Sequence, residues 1–173
     1  MLQADPKVLW QMALLGHGMQ VRAGVGVGWM QFRVVTTPDS FYVMTGLVPV
    51  GASVGYCKHP GSPGTPGVGW YGDGDVDWTL PGPAPASKTV RFGQGDRVMV
   101  VLDCRQGPLV RLLVNGQPRL VHHLAPPEGG PIAVLCPAIA LHGAEIGGDG
   151  GDVRVEVEAG APLPDDWESA APS

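Results

Sequence analysis

Three acidic residues at alternate positions, Asp73, Asp75 and Asp77, begin like a calcium-binding loop. A helix–loop–helix calcium site needs glycine at its sixth position for the sharp turn and a bidentate glutamate at its twelfth. Trp78 and Ala84 stand there instead, so the aspartates read as an acidic turn. The stretch Gly147 to Asp152 partly matches a calcium-binding β-helix repeat. One copy cannot build a site that lies between stacked turns, and Arg154 takes the place of the large apolar residue. His122 and His123 are adjacent, and neighbours on a strand point to opposite faces, so they do not share a metal easily. Cys57-Lys58-His59 has no second ligand pair nearby in sequence. Neither a metal nor a cofactor is expected.

Nucleophilic chemistry is equally unsupported. No Gly-x-Ser-x-Gly elbow occurs, and Ser53, Ser62 and Ser87 sit in Gly/Pro surroundings. Gly24-Val-Gly-Val-Gly28 lacks both the spacing and the following helix of a dinucleotide loop. Asp96 and Asp103 flank an apolar strand, where a carboxylate beside a turn binds local backbone amides. The chain is read as non-enzymatic.

The elements that must position these residues are strands. In Val90 to Gly116 two apolar runs flank a Gly-Pro corner, and the second ends in Asn115-Gly116. Asn-Gly is a strong signal for a two-residue hairpin, because both residues tolerate the positive φ it requires. Val98, Val100 and Leu102 alternate with Met99 and Val101, which predicts a strand buried on both faces. In the next strand Arg111 is the single polar position. Trp29, Gln31, Arg33 and Val35 alternate with Met30, Phe32 and Val34. Val153, Val155 and Val157 close the pattern. Some ten to twelve short strands separated by turn signals predict an all-β, two-sheet antiparallel sandwich. Pro137, inside the apolar run Ile132 to Leu141, belongs at an edge, a bulge or a strand start. Trp29, Trp70 and Trp78 are read mainly as core, with Trp78 the one most suited to an interface.

Composition sets the outer bounds. The 173 residues fit one domain. With 27 Gly and 18 Pro, disorder is a consideration, but the 44% hydrophobic residues cluster in short runs, so the Gly and Pro read as turns. The net charge of −5 comes without a Lys/Arg stripe, which disfavours nucleic acid. No apolar stretch is long enough to span a membrane. Val8 to Leu15 makes a poor signal peptide and instead reads as a short element packing Leu9, Trp10 and Leu14 on the domain. Three cysteines without a CxxC suit buried thiols in a reducing, cytoplasmic setting.

Four segments, in order, resemble the SPRY domain family. Gly69 to Asp75 is similar to its aromatic strand and Gly-Asp turn. Phe92 to Asp103 is similar to its FGxGDVVGVxLD segment, Val110 to Gly116 to LSFFVNG, and Cys136 to Gly143 to YPAVSLYG. Pro118 to Leu124 departs from the family, which follows the Asn-Gly turn with Gly-x-Ala-Phe. The likeness spans Gly18 to Glu158. It divides the chain into an extension, 1–17, a sandwich domain, 18–158, and a flexible tail, 159–173, which Trp167 is placed to dock. The resemblance implies a lectin-like sandwich that recognises a protein or peptide through loops and has no catalysis of its own. A glycan-binding, lectin-like domain is the alternative.

Candidate partner-binding residues follow from three stretches: Tyr56 and His59 in the long loop; Tyr71, Asp73, Asp75 and Trp78 around the acidic turn; and Arg119, His122 and His123 after the hairpin. The expected partner is a protein or peptide bound by a monomer, with no nucleic acid and no membrane.

Overall fold

In the computed structural model, residues 1–3, 10–15, 19–20, 24–52, 59–88, 90–125, 134–143 and 152–169 are described. Among them are twelve strands and a single 3-10 turn, Ser40–Tyr42. The strands are β1 Leu2–Gln3, β2 Gln11–Leu14, β3 Met19–Gln20, β4 Val27–Thr36, β5 Val43–Pro49, β6 Val68–Tyr71, β7 Val76–Trp78, β8 Arg97–Asp103, β9 Leu109–Val114, β10 Gln117–His123, β11 Val134–Leu141 and β12 Arg154–Val157. They form two antiparallel sheets. Sheet A runs β1-β12-β4-β8-β9-β10, and sheet B runs β2-β11-β5-β6-β7 with β3 also on β11. This is the expected all-β sandwich. Within residues 1–17, the stretch set apart as an extension, β1 and β2 pair with β12 and β11.

The alternation read from the sequence sets the inner faces. Met30, Phe32 and Val34 of β4 meet Val98, Val100 and Leu102 of β8, Leu112 of β9, Leu47 of β5, Trp70 of β6 and Ile139 of β11 in one core. Every residue of β8 after Arg97 is buried. Its inner face meets sheet B, and its outer face, Met99 and Val101, is covered by Trp167. Trp29 is a correction to the core reading. It lies on the opposite face of β4 from Met30 and is 43% exposed, because strand alternation overrides the indole's apolar preference.

Two local features hold the frame. Asn115 (φ 54°) and Gly116 (φ 79°) both take positive φ, as the hairpin signal requires. The Asn115 side chain accepts from Arg97 N (2.9 Å) and donates to Asp96 Oδ1 (2.7 Å), while Asp96 Oδ2 accepts from Gly93 N (2.8 Å). The carboxylate thus ties the start of β8 to the far hairpin. Pro137 sits within β11, opposite the break between β2 and β3. Its carbonyl accepts from Leu15 N at 2.8 Å, so its nitrogen, which carries no hydrogen, faces Leu15 too and cannot return the reciprocal ladder bond; Leu15 O accepts from Cys136 Sγ at 3.7 Å instead.

Candidate functional site

Strand register gathers several loops at one end of the sandwich. Thr36 at the end of β4, Arg97 at the start of β8 and the Asn115-Gly116 turn lie at this end of sheet A. Leu141, Val43 and Tyr71 lie side by side at the same end of sheet B. The connections 37–42, 72–75 and 88–96 therefore meet there.

Gly72 is their joint. Its N–H donates to Val43 O and its carbonyl accepts from Phe92 N, each at 2.9 Å. A Cβ at this position would stand 2.4 Å from Ser40 O and 2.5 Å from Phe92 O, so only glycine lets the three backbones converge. The turn beyond it is fixed by its own polar groups. Tyr71 O accepts from Gly74 N, Tyr71 N donates to Asp75 O, and Asp73 Oδ1 accepts from Asp75 N at 3.1 Å. Lys88, at a positive φ of 65°, donates its backbone N–H to Gly74 O and brings Nζ to 2.8 Å from Asp75 Oδ1 and 3.4 Å from Asp73 Oδ2. These carboxylates, Asp75 foremost, raise the Lys88 pKa and keep the ammonium charged.

Between the three loops lies an open cavity of about 480 Å³, lined by Ser40, Asp73, Lys88, Arg91, Phe92 and Asp96 among others. Most of its charges are already engaged. Asp96 is held by Gly93 and Asn115, and Asp73 by Asp75 and Lys88. Arg91 is exposed and makes no hydrogen bond or ion pair among the described residues. The site therefore offers one uncommitted guanidinium above a backbone floor fixed by hydrogen bonds.

Asp73 and Asp75 belong to this end, and Tyr71 leads into it. The Tyr71 ring itself lies on the outer face of sheet B. There its hydroxyl donates to Asp77 Oδ2 at 2.8 Å, and His59 Nδ1 lies 3.4 Å from the same oxygen. Burial first, and the Asp77 bond second, push the Tyr71 pKa upward, so its phenol keeps its proton. Trp10 closes over both, with ring centroids 5.6 Å from Tyr71 and 5.2 Å from His59. His142 stands 5.0 Å from Trp10 and stacks at 5.0 Å on Tyr42. The loop carrying His59 reaches the sheet because Gly46 and Gly69 oppose one another across β5 and β6. A Cβ on Gly46 would meet Pro60 Cβ at 2.8 Å, and one on Gly69 would meet Pro60 O at 2.6 Å. His59 and Tyr71 are thus brought together, but largely buried by one another and by Trp10.

Trp78 and His122 meet elsewhere, at the edge where β7 and β10 face each other. Their rings stand edge-to-face at 5.0 Å, and His122 Nε2 lies 3.0 Å from Pro83 O. Arg119 is exposed nearer the Asn-Gly turn, and His123 is exposed at the opposite end of the sandwich. Tyr56 lies outside the described residues, as do most of the residues of Gly147 to Asp152. The described candidates therefore form three groups, with Arg119 and His123 standing apart from them. Among the described residues no three His, Cys, Asp or Glu side chains gather as metal ligands.

Lys88, Arg91 and the Gly72 joint were missed by the sequence reading. Their signal was a pair of basic residues closing a Pro-rich connection just before Phe92-Gly93, and it becomes visible only once Gly72 is known to touch Phe92.

No protein-family model matches the chain, and no curated protein does. Solved structures do. A human SPRY domain superposes with a TM-score of 0.61 at 16% identity, covering 91% of this chain and 89% of that one. The SPRY domain of human HERC1 gives 0.56 at 15%, covering 85% and 82%. The carbohydrate recognition domain of Emp47p gives 0.46 at 11%, covering 90% and 96%. The first two establish the fold, a SPRY-type β-sandwich.

Proposed function

We propose that this chain is a non-catalytic protein-interaction module that captures a peptide segment at the sandwich end formed by residues 37–42, 72–75 and 88–96. The observation that carries this reading is the Gly72 joint. Residues 72–75 and 88–96 are bonded to one another through the backbones of Gly72, Gly74, Lys88 and Phe92, and Gly72 bonds Val43 O with Ser40 packed beside it, so the cavity between them is formed in advance, and a ligand need not order it. Arg91 supplies an uncommitted fork of donors for a carboxylate or a peptide carbonyl of the partner. Asp73 and Lys88 offer further polar contacts at the rim. SPRY-type folds serve as protein-interaction domains, which favours a protein ligand over a small substrate. A cytoplasmic setting suits the cysteines.

Selection of a displayed random-peptide library on the immobilised protein tests the reading. Wild type should enrich a recurrent motif containing an acidic or carbonyl-rich position. Arg91→Glu, folded by circular dichroism, should lose that enrichment. Undiminished enrichment on Arg91→Glu, or no enriched motif on wild type, would refute the placement of the site.

A further inference from the structure

Beyond β12 the chain does not continue the sheet. Among the described residues Glu158 is the last to bond a strand backbone to backbone: its N–H donates to Gln31 O at 2.9 Å, and its carboxylate takes Arg97 Nε at 3.1 Å. Residues 161–169 then cross the outer face of sheet A without pairing with any strand. Their attachment is by side chains and isolated contacts. Trp29 Nε1 donates to Ala161 O at 2.8 Å, Arg111 donates to Ser169 O at 3.0 Å, and Arg105 pairs with Glu168 at 3.0 Å.

The centre of this attachment is Trp167. It is buried on Met99, Val101 and Leu113, which form an apolar cluster separate from the core between the sheets. Two guanidiniums flank its indole, with Arg105 Cζ 4.9 Å and Arg111 Cζ 5.6 Å from the ring. Cations near an aromatic ring add attraction to the apolar burial. The segment also presents Trp167 by local turns of its own, with Trp167 N donating to Pro164 O at 3.1 Å and Ser169 N to Asp166 O at 2.9 Å. Beside it Glu168 forms one wall of a cavity of about 450 Å³, whose other walls include Asp103, Arg105, Arg111 and His123. An aromatic anchor in an apolar seat, rimmed by charge pairs, is how a docked peptide is held. Here the peptide is covalently attached.

We propose that the outer face of sheet A is a second peptide-docking site, shaped for a segment with tryptophan followed by an acidic residue, and that the chain's own residues 161–169 occupy it as a tethered, exchangeable ligand. The connection from Glu158 is only two residues, 159–160, long. A tether that short raises the local concentration of the segment to the millimolar range or above. The seat is therefore shut to free peptide until the attached copy lets go.

A labelled synthetic peptide spanning residues 158–169 serves as the probe, read by fluorescence polarisation against the full chain. Trp167→Ala vacates the seat while leaving Met99, Val101, Leu113 and both arginines in place. The peptide should bind this variant at least tenfold more tightly than wild type, since in wild type the tethered copy competes. A probe with alanine in place of its tryptophan should not bind, nor should the normal probe bind Trp167→Ala combined with Arg111→Ala. No binding to folded Trp167→Ala, or equal binding to wild type, overturns the proposal. Hydrogen exchange on wild type needs no variant. The amides of Trp167 and Ser169 should exchange by local opening, much faster than those of β8 and β9. Exchange of all of them together, only through global unfolding, would make the segment a fixed part of the fold and overturn exchangeability.

Discussion

The indole of Trp78 and the imidazole of His122 meet edge-to-face at 5.0 Å, although they stand on the edge strands of different sheets, β7 and β10. They stitch one side of the sandwich together, and Pro83 O fixes the imidazole at 3.0 Å. Aromatic pairs of this geometry contribute about 0.5–1.5 kcal/mol beyond their buried area. A double-mutant cycle of Trp78→Ala and His122→Ala should return a coupling of that size in urea unfolding. Strict additivity would show that the rings are only neighbours.

Gly72→Ala is expected to damage the fold and the site together. The added methyl would stand within 2.5 Å of two carbonyl oxygens, neither of which is a flexible side-chain end. Overpacking of this kind costs roughly 1–3 kcal/mol. Chemical denaturation should show that loss, and peptide capture should fall with it. Gly93→Ala is the control, since its Cβ would meet nothing closer than Ser40 Cβ at 3.8 Å. Equal stability of the two variants would contradict the joint.

Asp96→Ala should cost about 1–3 kcal/mol, because it removes the acceptor of Gly93 N and the partner of the Asn115 amide at once. Asp96→Asn should retain part of the stability, since it still offers one oxygen. Thermal unfolding of the two variants distinguishes this structural role from a purely ligand-facing one, in which both would unfold like wild type.

Burial holds the His142 imidazole below its ordinary pKa of 6.5. As pH falls, the unfolded chain takes up this proton first. The contribution of neutral His142 is complete above the unfolded value and declines as pH drops from about 6.5 toward the folded value. His142→Phe keeps a ring against Tyr42 and removes the titration. Between about pH 7.5 and pH 5.5 its stability should fall less than that of wild type, as read by urea midpoints. An equal fall in both would place the acid sensitivity elsewhere.

The frame was legible from local rules. Asn115-Gly116 announced its turn, and the alternation Met30, Phe32, Val34 picked out the inner face of β4. The same alternation sets Trp29 on the outer face of β4, because position on a strand outweighs the apolar size of the indole. The site was only half legible. Asp73 and Asp75 could be found, because a Gly-Asp turn after an aromatic strand is a local pattern. Arg91 and Lys88 could not, because their relation to that turn depends on Gly72 touching Phe92, a contact made across twenty residues of chain. Trp78 and Tyr71, close in sequence, part company because β7 turns Trp78 inward toward the core while Tyr71 of β6 points outward.

The most direct test of the interaction site is the map of amide chemical-shift changes when an enriched peptide is titrated into the isotope-labelled protein. The expected changes centre on Gly72, Gly74, Lys88, Arg91 and Gly93, with β8 and β9 little altered. Changes confined to the Trp78–His122 edge or to the Trp167 face, with the Gly72 end unmoved, would contradict a binding site at this end of the sandwich.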